Sequence, residues 1–275
     1  MSDEAEEERP EAPTPTGAMM LTLLAWAVGM FAWATLIQWL GHWTAFGIAL
    51  ALGYGVVGSL AARGLPQPME PRIGLCGFPR RQALCVVLAI PAVLLASEVD
   101  NFVRPLVPPL TEPGAGNEPV EDVLALLAVE FAITSVLLRP VLEEFFFRGV
   151  VQQGLVVWLG RSGGVALTSV LFVFAVAGFA FPLGPQQAAS LAAQAALLGP
   201  LLGVLRLATG SLLAPIAAQM GMAAFGMFAM SDPDSLPIPG FNTPGDHTPL
   251  GILMPAAFCV AISVRLAVGE LRKGG

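Results

Sequence analysis

The chain has 275 residues, 55% of them hydrophobic and only 12% charged, with a formal net charge of −7. A soluble domain carries roughly a quarter charged residues, so this composition excludes a water-soluble enzyme and indicates a polytopic membrane protein. The negative charge does not mark an acidic binding surface: six of the 20 acids lie in the first 17 residues, and the absence of a basic stripe excludes a nucleic-acid partner.

That first stretch, "MSDEAEEERPEAPTPTG", is polar, acidic and Pro-rich, the composition of a disordered tail. It lacks the positive n-region of a signal peptide, so the apolar run after it is expected to be retained as a helix. Residues 18–275 read as one transmembrane helical domain, all-α, of about eight spans. Each span needs about 20 apolar residues. The segments run approximately Ala18–Trp43, Thr44–Ala62, Gln82–Ser97, Val123–Leu138, Gly164–Phe181, Ala188–Leu205, Leu212–Met230 and Leu250–Val268. The first two meet almost without a loop at Gly41-His42, and Pro91 should kink the third. "LAAQAALLGPLLG" in the sixth is suited to close helix packing through Ala and Gly.

Basic residues set the orientation. Arg63, Arg72, Arg80 and Arg81 follow segment two, and Arg139, Arg148 and Arg161 follow segment four. Arg206 follows segment six; Arg272 and Lys273 follow segment eight. The alternate loops are acidic or neutral: residues 98–122 hold one arginine against six acids, and residues 231–249 hold no Lys or Arg. The expectation is a multi-pass protein of the cell (inner) membrane with both termini cytoplasmic. Cys76, Cys85 and Cys259 form no CxxC pair, so neither a disulfide framework nor a zinc cluster follows from them.

Chemistry concentrates in "RPVLEEFFFRGVVQQG", Arg139 to Gly154. On a helix continuing to about Trp158, Glu144 and Arg148 share a face and can pair i to i+4. Phe145, Phe146 and Phe147 occupy the rest of the circumference, so the carboxylates sit in a poorly hydrated setting. One carboxylate held ionised beside an organised partner is what a general base needs. The same residues also suit a salt-bridged helix end whose arginines reach toward the headgroups, and both readings stand at this point. Glu130 lies deeper in the same segment, about on the face of Glu144, and must meet protein or water rather than lipid. Together with the many small residues it leaves a small transporter as a third class, although paired interrupted helices are not seen.

"PVLEEFFFRGVVQQG" resembles the first motif, EExxxR, of the CPBP family, the CAAX-protease and bacteriocin-processing (Abi) membrane proteins. Glu143, Glu144 and Arg148 match the motif, flanked by Pro140 and Gly149. "LTSVLFVFAVAGF" stands where the family has FxxxH, and "ATGSLLAPIAAQMGMAA" is similar to its Gly-Ser-Leu-x-Ala-Pro-Ile region followed by HxxxN. The resemblance covers about residues 123–230. It implies an intramembrane endopeptidase core in which paired glutamates and two histidines activate a water, with a metal ion as an open question.

Residue by residue, the chain departs from that pattern. With Phe172 as the start of FxxxH, the histidine position is Val176; in the later motif it is Gln219, followed four residues on by Ala223. Valine cannot move a proton, and a Gln amide hydrogen-bonds without titrating. His42 and His247, the two histidines in the chain, map to the face opposite the glutamates. A zinc site of Glu143 and Glu144 without nitrogen or sulfur ligands would be unusual. Glu143, Glu144, Arg148 and Gln219 are thus the candidate catalytic residues of a degenerate site. The favoured reading is a protein that binds a hydrophobic or lipidated protein segment without cutting it; a carboxylate-only hydrolase is the alternative. Membrane lipids are the other expected partner.

Overall fold

The computed structural model describes residues 13–64, 73–107, 128–231 and 238–273. The described residues are helical and connecting segments, without strands. Helix α1 is Pro15–Leu40, capped by Thr14, whose Oγ1 accepts from the Gly17 N–H at 3.0 Å. It starts three residues before the predicted Ala18; residues 1–12 of the predicted tail lie outside the described residues. Helix α2 is His42–Ala62, α3 Arg80–Ala89 and α4 Ala92–Val103. Helix α5 covers residues 128–159 and α6 residues 161–180, followed by α7 Pro185–Thr209, α8 Leu213–Ser231 and α9 Leu250–Lys273.

Among the described residues, seven stretches are long and apolar enough to cross a bilayer. One of them, Ala128–Leu183, has 56 residues, about 84 Å if straight, far beyond a hydrocarbon core of about 30 Å. It folds back at Gly160 (φ 72°, ψ 175°). A Cβ on Gly164 would fall 2.5 Å from Val156, a contact that only a reversed chain allows. The seven stretches therefore contain the eight predicted crossings. The α1–α2 corner at Gly41 (φ 74°) and the break between α3 and α4 at Ile90-Pro91 fall where the sequence put them.

Pro13 and Leu271, near the two limits of the described residues, lie at the same end of the bundle. Pro13 packs against Gly154, and Arg161 near the Gly160 turn donates to the Leu271 carbonyl at 3.0 Å. At this basic end the Ile73–Cys76 segment clasps the α7–α8 corner. The Leu212 N–H donates to the Gly74 carbonyl at 2.7 Å, and Ser211 Oγ donates to the Cys76 carbonyl. The opposite end is tied differently. Asp100, fully buried, accepts from Arg104 Nε at 3.0 Å and from Ser190 Oγ. Asn101 Nδ2 donates to the Gly240 carbonyl, and His247 Nδ1 meets Glu98 Oε1 at 2.8 Å. Glu98 and Asp100, counted as loop residues from the sequence, are helical because α4 runs on to Val103.

Close helix crossings rest on glycines. A Cβ on Gly53 would lie 2.5 Å from the Ala25 carbonyl oxygen, with Gly29 at 3.4 Å, so backbone meets backbone where α2 crosses α1. Because a backbone atom cannot swing aside, Gly53→Ala is expected to destabilise the protein by about 1–3 kcal/mol, the usual cost of overpacking. Thermal unfolding in detergent reads this out, and an unchanged midpoint would refute the close crossing.

Candidate functional site

Helix α5 carries the charged cluster, and its backbone is irregular on either side of it. The turns Ile133–Leu138 and Phe145–Val151 are π-helical, bracketing a short α segment, Arg139–Glu144. Such widened turns occur often at functional sites because they re-aim side chains. Here they leave Glu143 and Glu144 facing different surroundings.

Glu143 is held from two helices. Arg139 Nε donates to its Oε1 at 2.8 Å, and Gln219 Nε2 from α8 donates to its Oε2 at 2.7 Å. The amide orientation follows from the carboxylate, which can only accept when ionised. The Gln219 Oε1 is thereby left buried without a partner.

Glu144 points into protein. Its Oε1 lies 2.9 Å from Arg148 Nη1, and neither side chain has any exposed surface. The pair is close in distance but not aligned as a hydrogen bond, since both Glu144 oxygens and Arg148 Nη1 lack a well-directed partner. Arg148 is fixed by other contacts: Nη2 donates to the Gly199 carbonyl at 3.1 Å, and the guanidinium carbon sits 4.4 Å from the Phe172 ring centroid. That is cation–π distance. One turn on, Gln152 Nε2 donates to the Gly203 carbonyl at 3.0 Å. Gly199 and Gly203 thus let α7 bring its carbonyls against α5, the packing that the "GPLLG" run suggests. Phe146 and Phe147 are fully buried and ring Tyr54 at centroid distances of 5.1 and 5.4 Å.

Two placements read from sequence change. Arg139 and Arg148 were counted among loop charges; both lie inside α5, paired with carboxylates, because the helix continues past them to Leu159. The glutamates therefore sit mid-helix, about 24 Å by helical rise from the Gly160 turn, and not at a helix end. The arginines' reach toward headgroups falls with this: Arg148 has no exposed surface at all.

A cavity of about 420 Å³ joins the predicted positions. Glu143, Val176, Gln219 and Ala223 line it together with Arg139 and Phe172. Glu144 and Arg148 stand behind the wall. Glu130 is half-buried and is not on the wall. His42 does line the cavity, in an aromatic group with Trp33 at 5.6 Å and Trp43 at 4.7 Å, whereas His247 does not. The role of Arg139 as a partner of Glu143 was not read from the sequence, although its i to i+4 spacing was the available signal.

A resident metal does not fit this donor set. Among the described residues no group of three His, Cys, Asp or Glu side chains could hold an ion, and Glu144 is engaged with Arg148.

The bundle is that of a multi-pass membrane protein with a polar cluster buried at mid-helix. Residues 125–225 match the family model described as Type II CAAX prenyl endopeptidase Rce1-like, so that segment is similar to the CPBP family. No curated protein and no solved structure matches the chain.

Proposed function

We propose that the protein is a non-cleaving member of its family, a receptor in the cell membrane, both termini cytoplasmic, that holds a hydrophobic or lipid-modified protein segment. The observation that carries this reading is the Glu143 environment. A hydrolase needs a group that takes a proton from water and hands it on. The neighbours of Glu143 here are an arginine, which stays protonated, and an amide, which does not titrate; Val176 contributes only carbon. The binding half of a protease site remains, as a cavity with a polar floor, and the proton relay is missing.

The test compares wild type with Glu143→Gln in lipid nanodiscs, using a fluorogenic peptide with a lipid-modified cysteine. Both proteins are expected to leave the peptide intact over the protein-free rate while binding it. Cleavage by wild type that Glu143→Gln abolishes would instead establish the carboxylate-only hydrolase.

A further inference from the structure

Among the spanning stretches, α9 is the least covered by the rest of the protein, with 17% of its most apolar 18 residues buried. It packs inward through Ala256, Ser263 and Ala267, and Ser263 Oγ donates to the Cys85 carbonyl at 2.7 Å. At 100° per residue the opposite side is a stripe of Leu250, Met254, Phe258, Ala261, Arg265 and Arg272. Its first three residues are 73%, 66% and 67% exposed. The stripe ends in a groove lined by Ala261, Val264, Arg265, Val268, Gly269 and Arg272. This is the basic end of the bundle, where Arg161 donates to the Leu271 carbonyl.

Arg265 differs from the other arginines inside spans. Arg104, Arg139 and Arg148 each meet a carboxylate four residues away on their own helix. Four residues to either side of Arg265 stand Ala261 and Gly269. Glu270, the one acid on α9, is turned about 140° from Arg265 and meets Arg81 at 3.6 Å. Among the described residues, no hydrogen bond or ion pair engages Arg265 or Arg272, and both are exposed. Arg272, in the last turn, complements the negative end of the helix dipole. Arg265 lies about 10 Å further in by rise, where that effect has faded, and an unpaired guanidinium beside hydrocarbon is costly.

Three features choose what balances it. Two guanidiniums on one face can close on a single phosphate, an anion that arginine binds through paired hydrogen bonds. A soluble anion would leave the rest of the stripe unused: Phe258 and Met254 continue it about 10 and 16 Å beyond Arg265, the depth of half a hydrocarbon core of about 30 Å. A second copy packed face to face would bring its own Arg265 against this one, two like charges in a low dielectric. We propose that the Arg265–Arg272 groove binds an anionic phospholipid of the leaflet on the basic side, its phosphate between the two arginines and one acyl chain along Ala261, Phe258 and Met254. The site is separate from the Glu143 cavity and stands or falls without it.

Native mass spectrometry of the delipidated protein, titrated with phosphatidylglycerol or phosphatidylcholine of identical chains, tests it. Wild type is expected to prefer phosphatidylglycerol about 25-fold, ~fivefold for each arginine. Arg265→Gln and Arg272→Gln should each lose about fivefold of that preference and the double variant all of it, while Arg265→Lys keeps most; size-exclusion profiles check assembly. Arg63→Gln, at an exposed arginine after α2, should leave the preference unchanged. No preference in wild type, or one that survives in the double glutamine variant, overturns the site. A loss in Arg63→Gln equal to that in Arg265→Gln would reduce the effect to general surface charge and overturns it too. Displacement of the lipid by glycerol 1-phosphate at equal concentration overturns the amphipathic occupant. A dimer seen by light scattering that Ala261→Trp dissolves overturns it in favour of a second copy.

Discussion

Glu144→Ala is expected to lose most of its folded yield, and the double variant Glu144→Leu/Arg148→Leu to recover much of it. Removing one partner of a fully buried ion pair leaves an uncompensated charge and typically costs about 3–5 kcal/mol, while replacing both by apolar groups of similar volume is often near neutral. Membrane domains have little margin against such a loss, since whole-protein stabilities are about 5–15 kcal/mol. The Arg148 contacts sharpen the expectation. Its bond to the Gly199 carbonyl and its place over Phe172 orient the guanidinium but bring no negative charge. Size-exclusion yield and thermal midpoints of the two single variants and the double give the coupling. A double variant as damaged as the worse single would mean that the pair contributes through shape and not through charge.

The second large effect concerns chemistry. Val176→His together with Gln219→His is expected to raise cleavage of a lipid-modified peptide above background by about 10²–10⁴-fold, the usual contribution of a positioned acid–base group. Both positions line the cavity that Glu143 lines, and Gln219 already touches the carboxylate at 2.7 Å. The activity should disappear when Glu143→Gln is added. Activity that persists in that triple variant, or a double variant no faster than wild type, would show that these positions do not form a decayed catalytic centre.

Much of this architecture could be read from the residues because membranes impose simple rules. A run of about 20 apolar residues has few alternatives to a spanning helix, and Gly41 and Pro91 break the chain where backbone physics says they should. The spacing of Glu144 and Arg148 likewise predicts their contact. What was not legible depends on which helix stands next to which. Nothing local in α5 says that Gln219, 76 positions away, donates to Glu143, or that Phe172 lies under Arg148. The π-helical turns shift side-chain directions in a way that a 100° period does not anticipate. Arg139 was misplaced for a related reason: an arginine after an apolar run looks like a loop charge until its carboxylate partner four residues on is seen inside the same helix.

Both ion pairs of α5, Arg139 with Glu143 and Glu144 with Arg148, are made within one turn of the same helix. The stretch from Arg139 to Arg148 therefore carries two charges of each sign, paired before it meets any other part of the protein. During biogenesis, these four charged side chains must pass into lipid as the hairpin inserts, and an isolated charge at mid-bilayer would cost several kcal/mol on insertion scales. Two self-contained pairs lower that barrier without waiting for α7 or α8, whose sequences are translated later. The arrangement that surrounds Glu143 in the finished protein also serves the ribosome-bound chain as its permit to enter the membrane.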